Sequence, residues 1–257
     1  MTTRSVIAAA STGVISLLVA NTVGEAADLK VLSAIAMQTV MEDLGPKFER
    51  ATGHRLAITF ATLGVIVQRV QSGETADVVV IPQQGVDRLV KDGKASAGMV
   101  TVLARAGIGV VVRKGATKPD ISTPEALKRA LLAAKSITYL DPAAGGTSGV
   151  HFAKMLDRLG IAAEMKPKTV LHPNARAAGV LVANGEAEIG INLIQELIPL
   201  PGIELVGPLP GDLQNTIVFV AATMTSAVDT AAAKALIEFL QTPEAAAVIK
   251  AKGLEPG

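Results

Sequence analysis

The chain has 257 residues, 49% of them hydrophobic, and a formal net charge of +1; it can bury one large or two medium cores, and nothing in its charge supports nucleic acid or an anionic membrane surface as a partner. Aromatic residues are scarce (five Phe, one Tyr, no Trp), which leaves few rings for stacking sugars or aromatic ligands. Cysteine is absent, which excludes disulfides, thiolate chemistry, cysteine metal sites and a lipidated cysteine.

Arg4, the apolar run 6–20 and the small residues Gly24 and Ala26 read as a cleavable secretory signal over 1–26. The apolar run is short for a spanning helix, so export to a periplasm is the expectation. Residues 28–35 form a strand. The helix after it carries Val40, Met41, Leu44 and Phe48 on one face, stops at Gly53, and has Pro46 inside it as a kink or first-turn residue. A strand at 55–61, a helix at 64–73, a nearly all-apolar strand at 76–81 and a helix at 85–93 continue the alternation of a parallel α/β layer. Residues 100–115 are a long β-rich run. Ser122 with Pro124 and Glu125 marks a helix start, and that helix runs to about Ala134.

A short buried strand at 136–140 leads into the stretch DPAAGGTSGVHF, residues 141–152, and then into a helix with Val150, Phe152, Met155, Leu156 and Leu159 at helical spacing. A glycine-rich turn with two hydroxyls at a helix start aims backbone N–H groups and the positive end of the helix dipole at one spot, which suits an anion. The structural alternative is an ordinary strand-to-helix turn capped by Thr147 or Ser148. Strands follow at 167–172 and 187–192, with a helix between them that opens at Pro173 and Asn174. Late strands lie in 202–210 and 215–224, and two helices close the chain, the second restarting at Thr242 and Pro243.

Two α/β blocks thus sit in series, with strands and helices left over after the second. The economical arrangement sends the chain back to the first block. This predicts an α/β two-lobe fold, with one lobe formed by 27–104 plus 207–257 and the other by 105–206. Crossing segments near 103–107 and 206–215 would make a hinge, with the ligand cleft between the lobes. Catalysis is not expected. His54, His151 and His172 follow no metal spacing, and there is no phosphate loop or dinucleotide fingerprint. His151 lies close to Ser148, but no carboxylate is placed to orient it and the turn is not a nucleophile elbow. No metal and no cofactor are expected.

The order and spacing of VLSAIAMQTVMEDLGPKFERATG, TFATLGVIVQRVQSGETADVVV, DPAAGGTSGVHFAKMLDRLG, NARAAGVLVANGEAEIGI and AAAKALIEFLQTPEAAAVIKAKG resemble the periplasmic solute-binding proteins of ABC importers, those with two crossing strands, and among them the molybdate-binding proteins. The resemblance implies a Venus-flytrap binding component, monomeric, that delivers a small anion to an inner-membrane permease. It places the anion at loops 36–38 and 61–64 in one lobe and at 145–149 in the other. The sequence departs from the molybdate-binding pattern at Ala36 and Leu63, where that family has serines, and near Leu193, where it has a tyrosine. Met37 and Leu63 beside the site suit a ligand with an apolar part. The expected ligand is therefore a small organic carboxylate. Thr147, Ser148 and the N–H groups of Gly146 and Gly149 would hold it, with Thr62, Gln38 and Gln83 completing the shell. Asn174 and Asn192 are further donors, with a helix cap and a strand-end turn as their respective alternatives. Arg176 would either pair with a second carboxylate or lie solvated on a helix face. A molybdate or tungstate binder and a ligand sensor are the alternatives to a carboxylate importer protein.

Overall fold

The computed structural model describes residues 26–174 and 176–257; the expected signal segment, apart from Ala26, lies outside the described residues, as does Ala175. The first part of the chain repeats a strand–helix unit: β1 (Asp28–Ala34), α1 (Gln38–Thr52), β2 (Arg55–Ala61), α2 (Leu63–Gln71), β3 (Val78–Pro82) and α3 (Gln83–Lys91). Strand β3 is buried along its whole length, as its unbroken apolar run requires when helices cover both faces. Helix α1 continues through Pro46 because that residue sits on the exposed face, where water can satisfy the carbonyl that loses its N–H partner.

The β-rich run resolves into two strands, β4 (Ala95–Ala106) and β5 (Ile108–Arg113), separated by Gly107 alone. Helix α4 (Pro124–Ala133) starts one residue later than expected. Thr123, not Ser122, accepts from the Ala126 N–H, while the Ser122 hydroxyl donates to Asp120 at 2.7 Å. Then come β6 (Ile137–Leu140), α5 (Thr147–Arg158), α6 (Ala162–Met165), β7 (Thr169–His172), α7 (Ala177–Asn184), β8 (Ile189–Leu193), α8 (Ile194–Leu197) and β9 (Ile203–Pro208). The chain ends in β10 (Ile217–Met224), α9 (Thr230–Phe239), α10 (Pro243–Ala251) and β11 (Glu255–Pro256). Caps from Asp229 and Thr242 open the last two helices, the second with Pro243 in its first turn.

Two sheets result, one per lobe of a two-lobe α/β fold. The first has the order β11-β4-β10-β3-β1-β2, the second β7-β6-β8-β5-β9. The β1–β2, β1–β3, β6–β7 and β6–β8 pairs are parallel; strands β4, β5, β9, β10 and β11 join antiparallel. The chain leaves the first sheet through Gly107 and returns between β9 and β10. Both passages meet at the side chain of Gln214. Its Oε1 accepts from the Ile108 N–H and its Nε2 donates to the Ile108 carbonyl, each at 2.9 Å. One side chain thus completes the backbone hydrogen bonding of the other passage.

Candidate functional site

Between the two sheets lies an inner cavity of about 50 Å³. The first lobe contributes Ala34, Ile35, Ala36, Ala61, Thr62, Leu63, Pro82, Ile217 and Phe219. The second contributes Leu140, Gly146, Thr147, Pro173, Leu193 and Glu196. These residues stand at strand ends and helix starts. Thr62 precedes α2, Pro82 precedes α3, Gly146 precedes α5 and Leu193 precedes α8. In parallel α/β sheets such ends are where backbone N–H groups are left without intrahelical partners.

The wall is mostly apolar. Its side-chain polar groups are the hydroxyls of Thr62 and Thr147 and the carboxyl of Glu196. The Thr62 hydroxyl oxygen is buried and has no hydrogen-bond partner among the described residues. Glu196 is partly buried, and burial pushes its carboxyl from the ordinary 4.5 up to about 7, against the opposing pull of Arg176 and a hydrogen bond from Asn192. Ser148 is 5% exposed and Asn192 fully buried, and the Ser148 hydroxyl donates to Asn192 Oδ1 at 2.7 Å. This bond ties the start of α5 to the end of β8.

The lobes touch beside this cavity. The Gly64 N–H donates to the Gly145 carbonyl at 3.1 Å, and a Cβ on Gly64 would lie 3.0 Å from the Gly145 Cα. Gly145 has φ +70°, a conformation that glycine adopts without penalty. Outside the contact, a groove of about 640 Å³ runs between α2 and α3 on one side and α5 on the other. It shares Leu63 and Thr147 with the inner cavity and adds Arg88, Lys154, His151 and the amides of Gln68, Gln71 and Gln84. The His151 ring bonds the Leu213 carbonyl at 2.8 Å, which ties α5 to the returning passage rather than to Ser148.

Of the residues expected at the site, Thr62, Leu63, Gly146 and Thr147 line the inner cavity. Ser148 and Asn192 stand behind it. Met37 is buried in the core. Gln38 and Gln83 donate to Glu42 and Asp87 on their own helices, both at 2.7 Å. Asn174 accepts from the Arg176 N–H at 2.9 Å and so shapes the turn ahead of α7, whose capping position is Arg176 rather than Asn174. Gly149 packs so tightly on β6 that a Cβ would lie 2.0 Å from the Leu140 carbonyl oxygen. Sequence reasoning missed Glu196, and it took in Gly64 and Gly145 only as members of the loops 61–64 and 145–149, not as the contact between the lobes. A lone acid four residues after Asn192, next to the end of a buried strand, was the available signal. His172 is 6% exposed with both ring nitrogens unpartnered, and burial lowers its pKa. Among the described residues no cluster of acidic, histidine or cysteine side chains could hold a metal ion.

The profile of bacterial extracellular solute-binding proteins matches residues 29–255. The chain belongs to that family. It is 34% identical over 234 residues to a protein named aconitate isomerase from a Pseudomonas species, covering 89% of this chain and 87% of that one. It is 28% identical over 234 residues to the molybdate-binding protein ModA of Azotobacter vinelandii, covering 89% and 90%. The solved periplasmic molybdate-binding protein of Azotobacter vinelandii superposes with a TM-score of 0.70 at 22% identity, over 88% of this chain and 98% of that one. The family's two-lobe architecture is thus the architecture of this chain, and the relation to molybdate-binding proteins is direct.

Proposed function

We propose that this solute-binding protein captures a small organic carboxylate in the periplasm and delivers it to an ABC permease in the inner membrane. The observation that carries the ligand class is the composition of the inner cavity: two threonine hydroxyls and one carboxyl on an otherwise apolar wall. A dehydrated tetrahedral dianion needs donors on most of its oxygens, and each missing one forfeits about 1.5–3 kcal/mol. One carboxylate group with an apolar neighbour needs fewer. A single water takes about 10–15 Å³ of such space, so a cavity of about 50 Å³ suits one carboxylate group rather than a whole polyacid. In this reading Thr62, Thr147 and the N–H groups at the start of α5 hold that carboxylate. Arg88 and Lys154 in the adjoining groove receive any further ones. The test is calorimetry with trans-aconitate, citrate and succinate on the wild type and on a Thr62→Val/Thr147→Val double variant. Binding that survives unchanged in the double variant contradicts the assignment.

The relative named aconitate isomerase favours a second reading, in which the bound carboxylate is also isomerised. An isomerisation of this kind moves a proton and needs no oxidant, and Glu196 is a titratable group at the cavity wall. Following trans-aconitate by proton NMR with purified protein separates the readings. Catalytic appearance of the cis isomer makes the protein an enzyme; tight binding without turnover leaves it a carrier.

A further inference from the structure

Glu196 poses a problem for any anion site. It puts a carboxyl on the wall of a cavity built to take negative charge, and two carboxylates brought together in an apolar enclosure repel strongly. The group is not there by accident of a floppy surface side chain. It is partly buried in α8, four residues after Asn192, which is fully buried on β8 and accepts from Ser148 at the start of α5. Among the described residues, the rest of the enclosure, from Ala34, Ile35 and Phe219 in one lobe to Leu140, Pro173 and Leu193 in the other, holds no second titratable side chain.

We propose that Glu196 and the bound anion share one proton, so that the cavity takes up its ligand together with a proton. This rests on the reading of the inner cavity as the carboxylate site and adds to it what the carboxyl of Glu196 does there. As a neutral acid, Glu196 donates its O–H to the ligand carboxylate and removes the repulsion. As a carboxylate it excludes a fully ionised ligand. The charged group that acts on Glu196 is Arg176, which favours the ionised form; burial favours the neutral form and prevails. His172 lies one residue from the cavity-lining Pro173, and its burial keeps it neutral above its ordinary 6.5. It therefore supplies no change of charge at higher pH.

The sign follows from linkage. The free protein holds the Glu196 proton up to about pH 7, and simple carboxylate ligands are ionised well below that. Affinity is therefore flat from pH 6 to about 7 and falls about tenfold per pH unit above it, because each binding event must then take up a proton. The experiment is calorimetry of trans-aconitate binding between pH 6 and pH 9, in two buffers of different ionisation enthalpy, on the wild type and Glu196→Gln. The wild type shows the slope and, at pH 8.5, uptake of about one proton per ligand. The glutamine variant, which has no carboxyl to titrate, shows no slope and no proton uptake at pH 8.5. A flat wild-type profile with no proton uptake overturns the proposal, whether or not the variant folds. So does a slope that survives in the variant. Absence of trans-aconitate binding at every pH instead overturns the underlying reading of the cavity.

Discussion

Thr62 is the residue whose state in the folded protein makes least sense without a ligand. Its hydroxyl is buried, lines the cavity and has no partner among the described residues, and an unsatisfied buried polar group costs about 1–3 kcal/mol. Thr62→Val should therefore leave the free protein as stable as the wild type or more so in urea denaturation, while weakening carboxylate binding about tenfold or more. A loss of stability in the free variant would show that the hydroxyl serves the fold. Glu196 carries the opposite signature. Its folded pKa of about 7 lies above the ordinary 4.5, so the folded chain binds more protons than the unfolded chain between those values. Stability should fall as pH rises through that window, by on the order of 2–3 kcal/mol, and Glu196→Gln should abolish the fall attributable to this residue. Urea midpoints at pH 4.5 and pH 8 for both proteins measure it. Neither residue's state was open to inspection in the sequence. Thr62 was legible as a loop hydroxyl, but its isolation is made by Gly145 and Thr147 from the other lobe. Ser148 looked equally available, yet its partner Asn192 lies 44 positions away.

At the scale of elements, the glycine-rich turn and α5 divide their glycines between two tasks. Gly149 allows α5 to seat on β6: a Cβ there would be driven into the Leu140 carbonyl, with backbone on both sides and no side chain to yield. Gly149→Ala should cost at least about 1–3 kcal/mol in equilibrium unfolding, and an unchanged midpoint would contradict this packing. Gly64 meets the other lobe instead. The three atoms nearest to a methyl group there all belong to the Gly145 backbone across the cleft. Gly64→Ala should keep the unfolding midpoint within about 0.5 kcal/mol and weaken ligand binding severalfold by propping the lobes apart, a change that calorimetry on the folded variant reads. Most strands and helices were legible because alternating and 3.6-residue apolar patterns are local properties. Helix α8 and strand β11 were not. The first has 4 residues and the second 2, too few for a period, and each exists because a neighbouring strand end or β4 supplies its partner.

At the scale of the molecule, the two-sheet plan and its double passage follow from leftovers: a second block complete in itself, then strands and helices that only the first sheet could use. Strand β10 takes its place between β3 and β4 for that reason. We take the two passages, bound together at Gln214 and Ile108, as the hinge about which the lobes close on the ligand. What the whole-molecule plan could not supply was the ligand, since one fold serves many solutes and the choice lies in a few cavity residues. Ala36, Leu63 and Leu193 stand at that cavity and bring no hydroxyl to its wall. The most direct test is a thermal-shift panel on protein stripped of ligand by unfolding and refolding, with trans-aconitate, citrate, succinate, molybdate, tungstate, sulfate and phosphate. At about 100 times the dissociation constant a true ligand stabilises by about 2.7 kcal/mol, or on the order of 5 °C for a chain of this size. A cavity selective for carboxylates gives a shift with at least one carboxylate and none with molybdate or tungstate. A shift with molybdate or tungstate alone would show that backbone N–H groups have replaced the missing hydroxyls, and would contradict that selectivity.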